Sequence, residues 1–294
     1  SRFRGCLVGL AAGDAVGTTV EFAPRGTFPP VADMVGGGPF RLEAGQWTDD
    51  TSMALCLASS LVATGGFDAA DQMARYVRWW KDGEWSPTGR CFDIGNATRK
   101  ALQYFLDTGD PWAGAKAPNA KGNGCIMRLA PVPMFYFGSR EEGAVRSAES
   151  ARTTHGALVC EDACRLLADV IWLALEGRPK EEVLLGHPAG LVADPGVVAI
   201  AEGAYRAKRE DAIEGRGHVA WSLEAALWCF WATDSFEAAI LRAANLGDDA
   251  DTTAAVCGQV AGAFYGVQGI PDRWLAKLAM RAEIEALADQ LMRP

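Results

Sequence analysis

The chain has 294 residues, enough to bury a large core within one domain. Its make-up, 49% hydrophobic and 22% charged, excludes a disordered or low-complexity protein. A formal net charge of −9 without any Lys/Arg cluster excludes a nucleic-acid groove, although backbone N–H groups could still seat a single diphosphate. No apolar run reaches the length of a spanning helix, and the first residues do not follow the charged, apolar and cleavage pattern of a secretion signal. A soluble cytoplasmic protein with no membrane contact is therefore expected. The 8 cysteines include no C-x-x-C pair, and Cys6, Cys56, Cys160, Cys164, Cys229 and Cys257 lie among apolar neighbours. They read as small core residues in a reducing compartment rather than as a disulfide frame.

In chain order, residues 2–19 carry Phe3, Cys6, Leu7, Leu10 and Ala11 at helical spacing. Gly9, Gly13 and Gly17 interrupt that segment. Each glycine costs about 1 kcal/mol against alanine in a helix, so several together point to a second backbone passing close by. Asp14 is either a buried tie to that neighbour or a site residue. It would share a face with Glu21 if the helix ran on that far. Residues 23–46 are loop, with Pro24, Pro29, Pro30 and Gly36-Gly37-Gly38-Pro39. Helices follow at 51–63 and 68–81, separated by Gly65-Gly66; Trp79, Trp80 and Trp85 at the end of the second are core or pocket wall. Phe92-Asp93-Ile94-Gly95-Asn96 is a polar turn feeding another helix, with Asn96 as a possible cap. The 117–125 loop contains Gly122-Asn123-Gly124, a turn that would open the next helix and offer free N–H groups to a phosphate or ribose. Helices at 141–152 and 157–176 flank Thr153-Thr154-His155. After a broken connection at 177–196, helices are expected at 197–211, 219–231, 235–245 and 252–264, with two more at the end. No period-two alternation, internal repeat or dinucleotide-binding glycine motif occurs. The architecture expected is a single compact all-α domain spanning 1–294, with its site built from helix starts and long loops.

Two of those helix starts are unusually rich in oxygen. Thr48-Asp49-Asp50-Thr51 precedes one apolar helix and Asp248-Asp249-Ala250-Asp251-Thr252-Thr253 another, about two hundred residues later. One such residue suffices to cap a helix. Adjacent carboxylates repel one another unless a cation lies between them. Thr48, Asp49 and Asp50 fan outward, Asp249 and Thr252 share a helical face, and Asp251 points elsewhere, free to bridge or to reach a second ion. Together they suit two hard divalent cations, Mg²⁺ or Mn²⁺. The spacing is wrong for an EF-hand: with Asp249 first, Ala254 falls where Gly is needed and Val260 where the bidentate Glu is needed. There is no Gly-x-Ser-x-Gly, no zinc grouping and no P-loop, which disfavours nucleophilic triads, zinc enzymes and phosphoesterases.

In combination the motifs resemble the ADP-ribosylglycohydrolase family. They are Gly13-Asp14-Ala15-Val16-Gly17 with Glu21-Phe22, Gly45-Gln46-Trp47-Thr48-Asp49-Asp50-Thr51, Gly95-Asn96, Gly122-Asn123-Gly124 with Met127-Arg128, Thr154-His155 and Gly247-Asp248-Asp249-Ala250-Asp251-Thr252. They keep the family's order across nearly the whole chain. Phe92-Asp93-Ile94-Gly95-Asn96, Gly262-Ala263-Phe264-Tyr265-Gly266 and Ile270-Pro271 are most similar to the bacterial members that act on dinitrogenase reductase. One departure is Asp248, where glycine is common, which would add a carboxylate beside the metals. The resemblance implies an all-α fold with a dinuclear metal cleft, both cations held by Thr48, Asp49, Asp50, Asp249, Asp251 and Thr252. It further implies an ADP-ribose site lined by Glu21, Asp93, Gly95, Asn96, Gly122, Asn123, Gly124, Met127, His155 and Gly247. The implied activity is hydrolysis of the bond between ADP-ribose and a modified protein side chain, arginine or else serine, with free ADP-ribose as product. Asp93 is the favoured acid/base residue for an arginine linkage, and Glu21 for a serine linkage. The chain would act as a monomer. A non-catalytic ADP-ribose binder, or a structural protein like the lens crystallins that share this fold, is the competing reading.

Overall fold

A computed structural model describes residues 1–292, and its regular secondary structure is almost entirely helical. The α-helices in order are α1 (Arg2–Gly17), α2 (Asp49–Thr64), α3 (Ala69–Asp82), α4 (Asn96–Thr108), α5 (Pro131–Phe135), α6 (Arg140–Arg152), α7 (Leu158–Glu176), α8 (Lys180–Leu185), α9 (Pro195–Ala201), α10 (Val219–Trp231), α11 (Phe236–Ala244), α12 (Ala250–Tyr265), α13 (Asp272–Leu275) and α14 (Arg281–Leu291). Among the described residues the only extended pairing is three isolated bridges, two of which fasten the 115–122 loop, at Ala115–His155 and Gly122–His218.

The centre of the molecule is the pair α1 and α12. Both are small or apolar all round and buried along nearly their whole length, as a helix without a polar face must be. Glycines every fourth residue of α1 let the two backbones touch. A β-carbon placed at Gly5, Gly9, Gly13 or Gly17 would lie 2.2, 2.4, 2.1 or 2.3 Å from the carbonyl oxygens of Gly262, Gly258, Ala254 and Ala250 respectively. The glycines in the first helix thus do mark a second backbone, and it is the helix that carries the second acidic start. Helices α7, α10, α11 and α14 complete the main core. A smaller cluster under α3 and α4 holds Met53, Tyr76, Trp79, Leu102 and Met127. Trp80 and Trp85 pack against it, so the tryptophan group is core rather than pocket wall.

Four expectations change. The first helix stops at Gly17 and tightens into a 3-10 turn over Thr18–Val20, so Asp14 and Glu21 share no continuous face. The Gly122-Asn123-Gly124 turn opens no α-helix: irregular turns run on to Pro131, which starts α5, the position where a missing N–H is harmless. The 177–196 connection contains α8, whose Val183 and Leu184 are buried. The helix expected at 197–211 ends at Ala201; Gly203, at φ 76°, turns the chain into two 3-10 segments.

Candidate active site

The N-termini of α2 and α12 meet, as their composition requires. Thr48 Oγ1 donates to Asp251 Oδ2 at 3.2 Å, and Thr252 Oγ1 donates to Asp50 Oδ1 at 3.2 Å, so each helix start reaches across to the other. Asp14 makes the junction possible. From α1 its carboxylate accepts hydrogen bonds from the Thr48 and Thr51 N–H groups at 2.9–3.1 Å and from both hydroxyls at 2.9 and 2.6 Å. It therefore caps α2 from outside, and the side chains of Asp49 and Asp50 need not cap their own helix.

Two sets of carboxylates result, joined by one residue. Oxygens of Asp14, Asp50 and Asp251 all lie within 4.8 Å of one another, as do oxygens of Glu21, Asp93 and Asp251. Asp50 Oδ2 and Asp251 Oδ1 are buried with no hydrogen-bond partner. A buried carboxylate oxygen without a donor is costly unless a cation takes it up. Carboxylates with threonine hydroxyls form the hard donor set that divalent cations prefer, so the residues present fit a metal.

The electrostatics agree. Burial, followed by the neighbouring carboxylates, pushes Asp49, Asp50 and Asp251 well above the usual carboxylate range. Burial also raises Asp249, opposed first by the Asn123 amide, which donates to Asp249 Oδ2 at 2.6 Å. Asp14 is raised by burial to about 6, held down by its threonine donors. Asp93 is raised by burial to about 7. Glu21 is raised to about 12, by burial first and then by Asp251 and Asp93. Without a cation this cluster holds protons.

Above the carboxylates lies a cleft of about 420 Å³. One wall is the start of α4, Ile94 to Thr98; the other is Gly122-Asn123-Gly124 with Met127 and His155. The cap of α4 is Gly95 rather than Asn96, with no side chain bonded to the first N–H groups. Asn96 Oδ1 instead accepts from Arg99. The helix start is thereby open to an anion. His155 is buried, and its Nδ1 lies 2.7 Å from Thr154 Oγ1, which itself accepts from Arg128 at 2.8 Å. The hydroxyl hydrogen is then free for Nδ1, which leaves the ring proton on Nε2. Burial, with the Arg128 charge nearby, holds His155 at about 4, so the ring is neutral. Gly124 is required against it, because a β-carbon there would stand 2.9 Å from His155 Cε1.

The structure therefore brings together Glu21, Asp49, Asp50, Asp93, Gly95, Asn96, Gly122, Asn123, Gly124, Met127, His155, Asp249, Asp251 and Thr252 around one cavity. Thr48 is fully buried beneath it. Gly247 is not on the wall: at φ 70° it packs against Ala23 and Arg25 and braces the loop behind the site. Asp248 is not one of the cage's clustered carboxylates: its side chain turns to Arg216 at 3.7 Å, and it acts on the cage only through its charge, which helps to raise Asp249. Asp93, read from sequence as standing outside both metal motifs, lies within reach of Asp251. Asp14 was the ambiguous residue, and the donor-rich helix start facing it was the signal that could have settled its place.

Over residues 1–294 the chain matches the sequence profile described as ADP-ribosylglycohydrolase. It is 50% identical, over 99% of its length and 77% of the relative's, to ADP-ribosylarginine hydrolase Tri1 of Pseudomonas putida. It is 32% identical to the ADP-ribosyl-[dinitrogen reductase] glycohydrolase of Rhodospirillum rubrum, over 97% of this chain and 92% of that one. A solved structure described as an ADP-ribosylglycohydrolase-related protein complex superposes with a TM-score of 0.89 at 46% identity, covering 99% of this chain and 97% of the other.

Proposed function

The chain belongs to the ADP-ribosylglycohydrolase family, and from that premise we propose that it is a metal-dependent hydrolase releasing ADP-ribose from modified arginine side chains of proteins. The observation that carries the reading is the pair of carboxylate groups sharing Asp251 at the floor of a cleft with an open helix start on its wall. The arginine linkage is supported by the relatives named for it and by the Asp93 turn.

Thr48, Asp49, Asp50, Asp249, Asp251 and Thr252 would hold two divalent cations, Mg²⁺ or Mn²⁺, with Glu21 and Asp93 around the outer position. When bound, such ions supply Lewis acidity toward ribose hydroxyls and water. The N–H groups at the start of α4 and of the Gly122–Gly124 turn receive the diphosphate, and neutral His155 stands with Nε2 against Gly122, a donor available to the ligand. Met127 closes the wall beneath. Cleavage builds positive charge on the ribose ring, and the surrounding carboxylates favour it. Asp93 accepts a proton from the attacking water while the bond from the anomeric carbon to the guanidinium nitrogen breaks; the electron pair leaves on nitrogen, and the neutral guanidine so formed takes up the proton that Asp93 holds. Glu21, beside it, orients the same water. The cysteines, all free, support a reducing compartment such as the cytoplasm.

The test is release of free ADP-ribose from arginine-linked and serine-linked peptides, side by side, with Mg²⁺, Mn²⁺ or chelator. Cation-dependent release from the arginine conjugate is expected. Release from the serine conjugate alone would replace the arginine assignment, and binding without release would leave a non-catalytic receptor.

A further inference from the structure

Each of the two candidate acid/base residues has a phenylalanine as its chain neighbour, and the two rings belong to one aromatic ledge. Phe22 follows Glu21 and Phe92 precedes Asp93; Phe40, from the 23–46 loop, joins them. The Phe22 and Phe40 ring centres are 6.3 Å apart at 74°, and those of Phe40 and Phe92 are 5.1 Å apart at 51°. Phe22 is 64% exposed and its φ is +64°, a left-handed conformation that a side chain with a β-carbon rarely adopts. Neither core packing nor backbone preference accounts for a large apolar ring there.

The loop nevertheless keeps it in place. The Phe22 N–H donates to the Asp248 carbonyl at 2.7 Å, the Asp248 N–H donates to Ala23 at 2.8 Å, and Arg25 donates to the Leu246 carbonyl at 3.2 Å. Phe22 lines both the main cleft and an adjoining hollow of about 410 Å³ that contains Arg216, Asp248 and Asp249. Phe22 thus stands on the carboxylate side of the cleft, at the passage to the second hollow, with Phe40 and Phe92 behind it.

We propose that this ledge is the acceptor subsite and that Phe22 is a specificity-determining residue: the guanidinium of the modified arginine lies over its ring between Glu21 and Asp93, with the alkyl stem leaving toward the hollow beside Asp248. This rests on the arginine reading above. A cationic, planar group is attracted by a ring face and by flanking carboxylates. A serine linkage presents a short neutral acceptor that leaves the ledge uncovered. The ring consequently discriminates between the linkages, while the nucleotide is held by the opposite wall.

The experiment compares Phe22→Gly, Phe22→Leu and Phe22→Trp with the parent protein. Glycine suits the left-handed backbone, so folding is preserved, and leucine keeps apolar bulk while removing the π face. With an ADP-ribosylarginine peptide, kcat/KM should fall roughly threefold to thirtyfold in the Gly and Leu variants, carried mainly by KM, the range of a single cation–π contact. Phe22→Trp should retain the parent value, and calorimetric ADP-ribose affinity should stay within about twofold throughout. Parent-like hydrolysis by Phe22→Leu would overturn the role of the ring, and an equal loss of ADP-ribose affinity would assign Phe22 to the nucleotide instead. Failure of the parent protein to cleave the arginine conjugate would overturn the functional reading and the subsite with it. Loss in the variants' behaviour alone, as described, separates the two.

Discussion

Asp93 holds its place near Asp251 and Glu21 through a strained turn, at φ 60°, and burial raises its carboxyl to about 7. Backbone strain of this kind persists where surrounding structure enforces it, often at functional sites. Asp93→Ala is expected to lower kcat by about 10² to 10⁴, the usual reach of general acid–base catalysis, with ADP-ribose affinity little changed. Because Asp93 is one of three acids around the outer position, one of two cations should also bind more weakly. Single-turnover hydrolysis with a calorimetric titration checks this, and near-normal turnover alongside an inactive Glu21→Ala would transfer the role to Glu21. Asp14 carries a different expectation. Asp14→Ala leaves the Thr48 and Thr51 N–H groups buried without acceptors, which should cost about 2 kcal/mol or more. A thermal melt of the variant, with metal content measured on the same sample, reads both effects. The residues proposed as ligands stood out in the sequence because each is a carboxylate or hydroxyl where capping alone needs one. Asp14 was not, because a lone acid in an apolar helix looks the same whether it ties two helices or supports a site.

Among the helices, the boundaries most readily legible were those with a chemical stop or start: Gly65 after α2, Gly83 after α3, and Asp68 and Ser235 capping α3 and α11. The break after α9 has such a stop in Gly203, left-handed just past Ala201, which a helix drawn to residue 211 passes over; α8, of six residues, is too short for its periodicity to announce it. The contact of α1 with α12 was foreshadowed by glycine spacing, but the identity of the second backbone depends on tertiary structure. That contact aligns Asp14 with the starts of α2 and α12, so a wedge within it should disturb the site from a distance. A Gly13→Ala β-carbon would lie 2.1 Å from the Ala254 carbonyl; overpacking of this kind typically costs about 1–3 kcal/mol, and divalent-cation affinity should fall with it. Gly138→Ala is the matched control, since nothing stands within 4 Å of its β-carbon position and it caps no helix. Denaturant unfolding of the two variants should show destabilisation in Gly13→Ala only.

Across the whole molecule, the carboxylate cage ties stability to both pH and metal. Asp14 and Asp93 have folded values near 6 and 7, above the usual value of about 4 for an unfolded Asp. A raised carboxyl favours the folded state at low pH, and that contribution is lost as pH rises through the folded value. Metal-free protein should therefore lose stability between about pH 4 and pH 7, with Asp49, Asp50 and Asp251 adding to the loss. A cation that binds only the folded state restores stability, by about 3 kcal/mol at a hundredfold excess over Kd. The gap between melting temperatures with Mn²⁺ and with chelator should widen from pH 5 to pH 8. A constant gap would mean that the cluster does not titrate as its burial requires.

The proposed chemistry depends most on one cage, built from the two acidic helix starts and shared through Asp251. Its direct test is the number of Mn²⁺ ions bound per chain, by calorimetric titration of metal-free protein, for the parent and for Asp251→Ala, with arginine-conjugate hydrolysis measured on the same samples. The expected result is two ions in the parent, at most one in the variant, and loss of hydrolysis with the second ion. Full hydrolysis by Asp251→Ala with unchanged stoichiometry, or by the parent after exhaustive chelation, would contradict it.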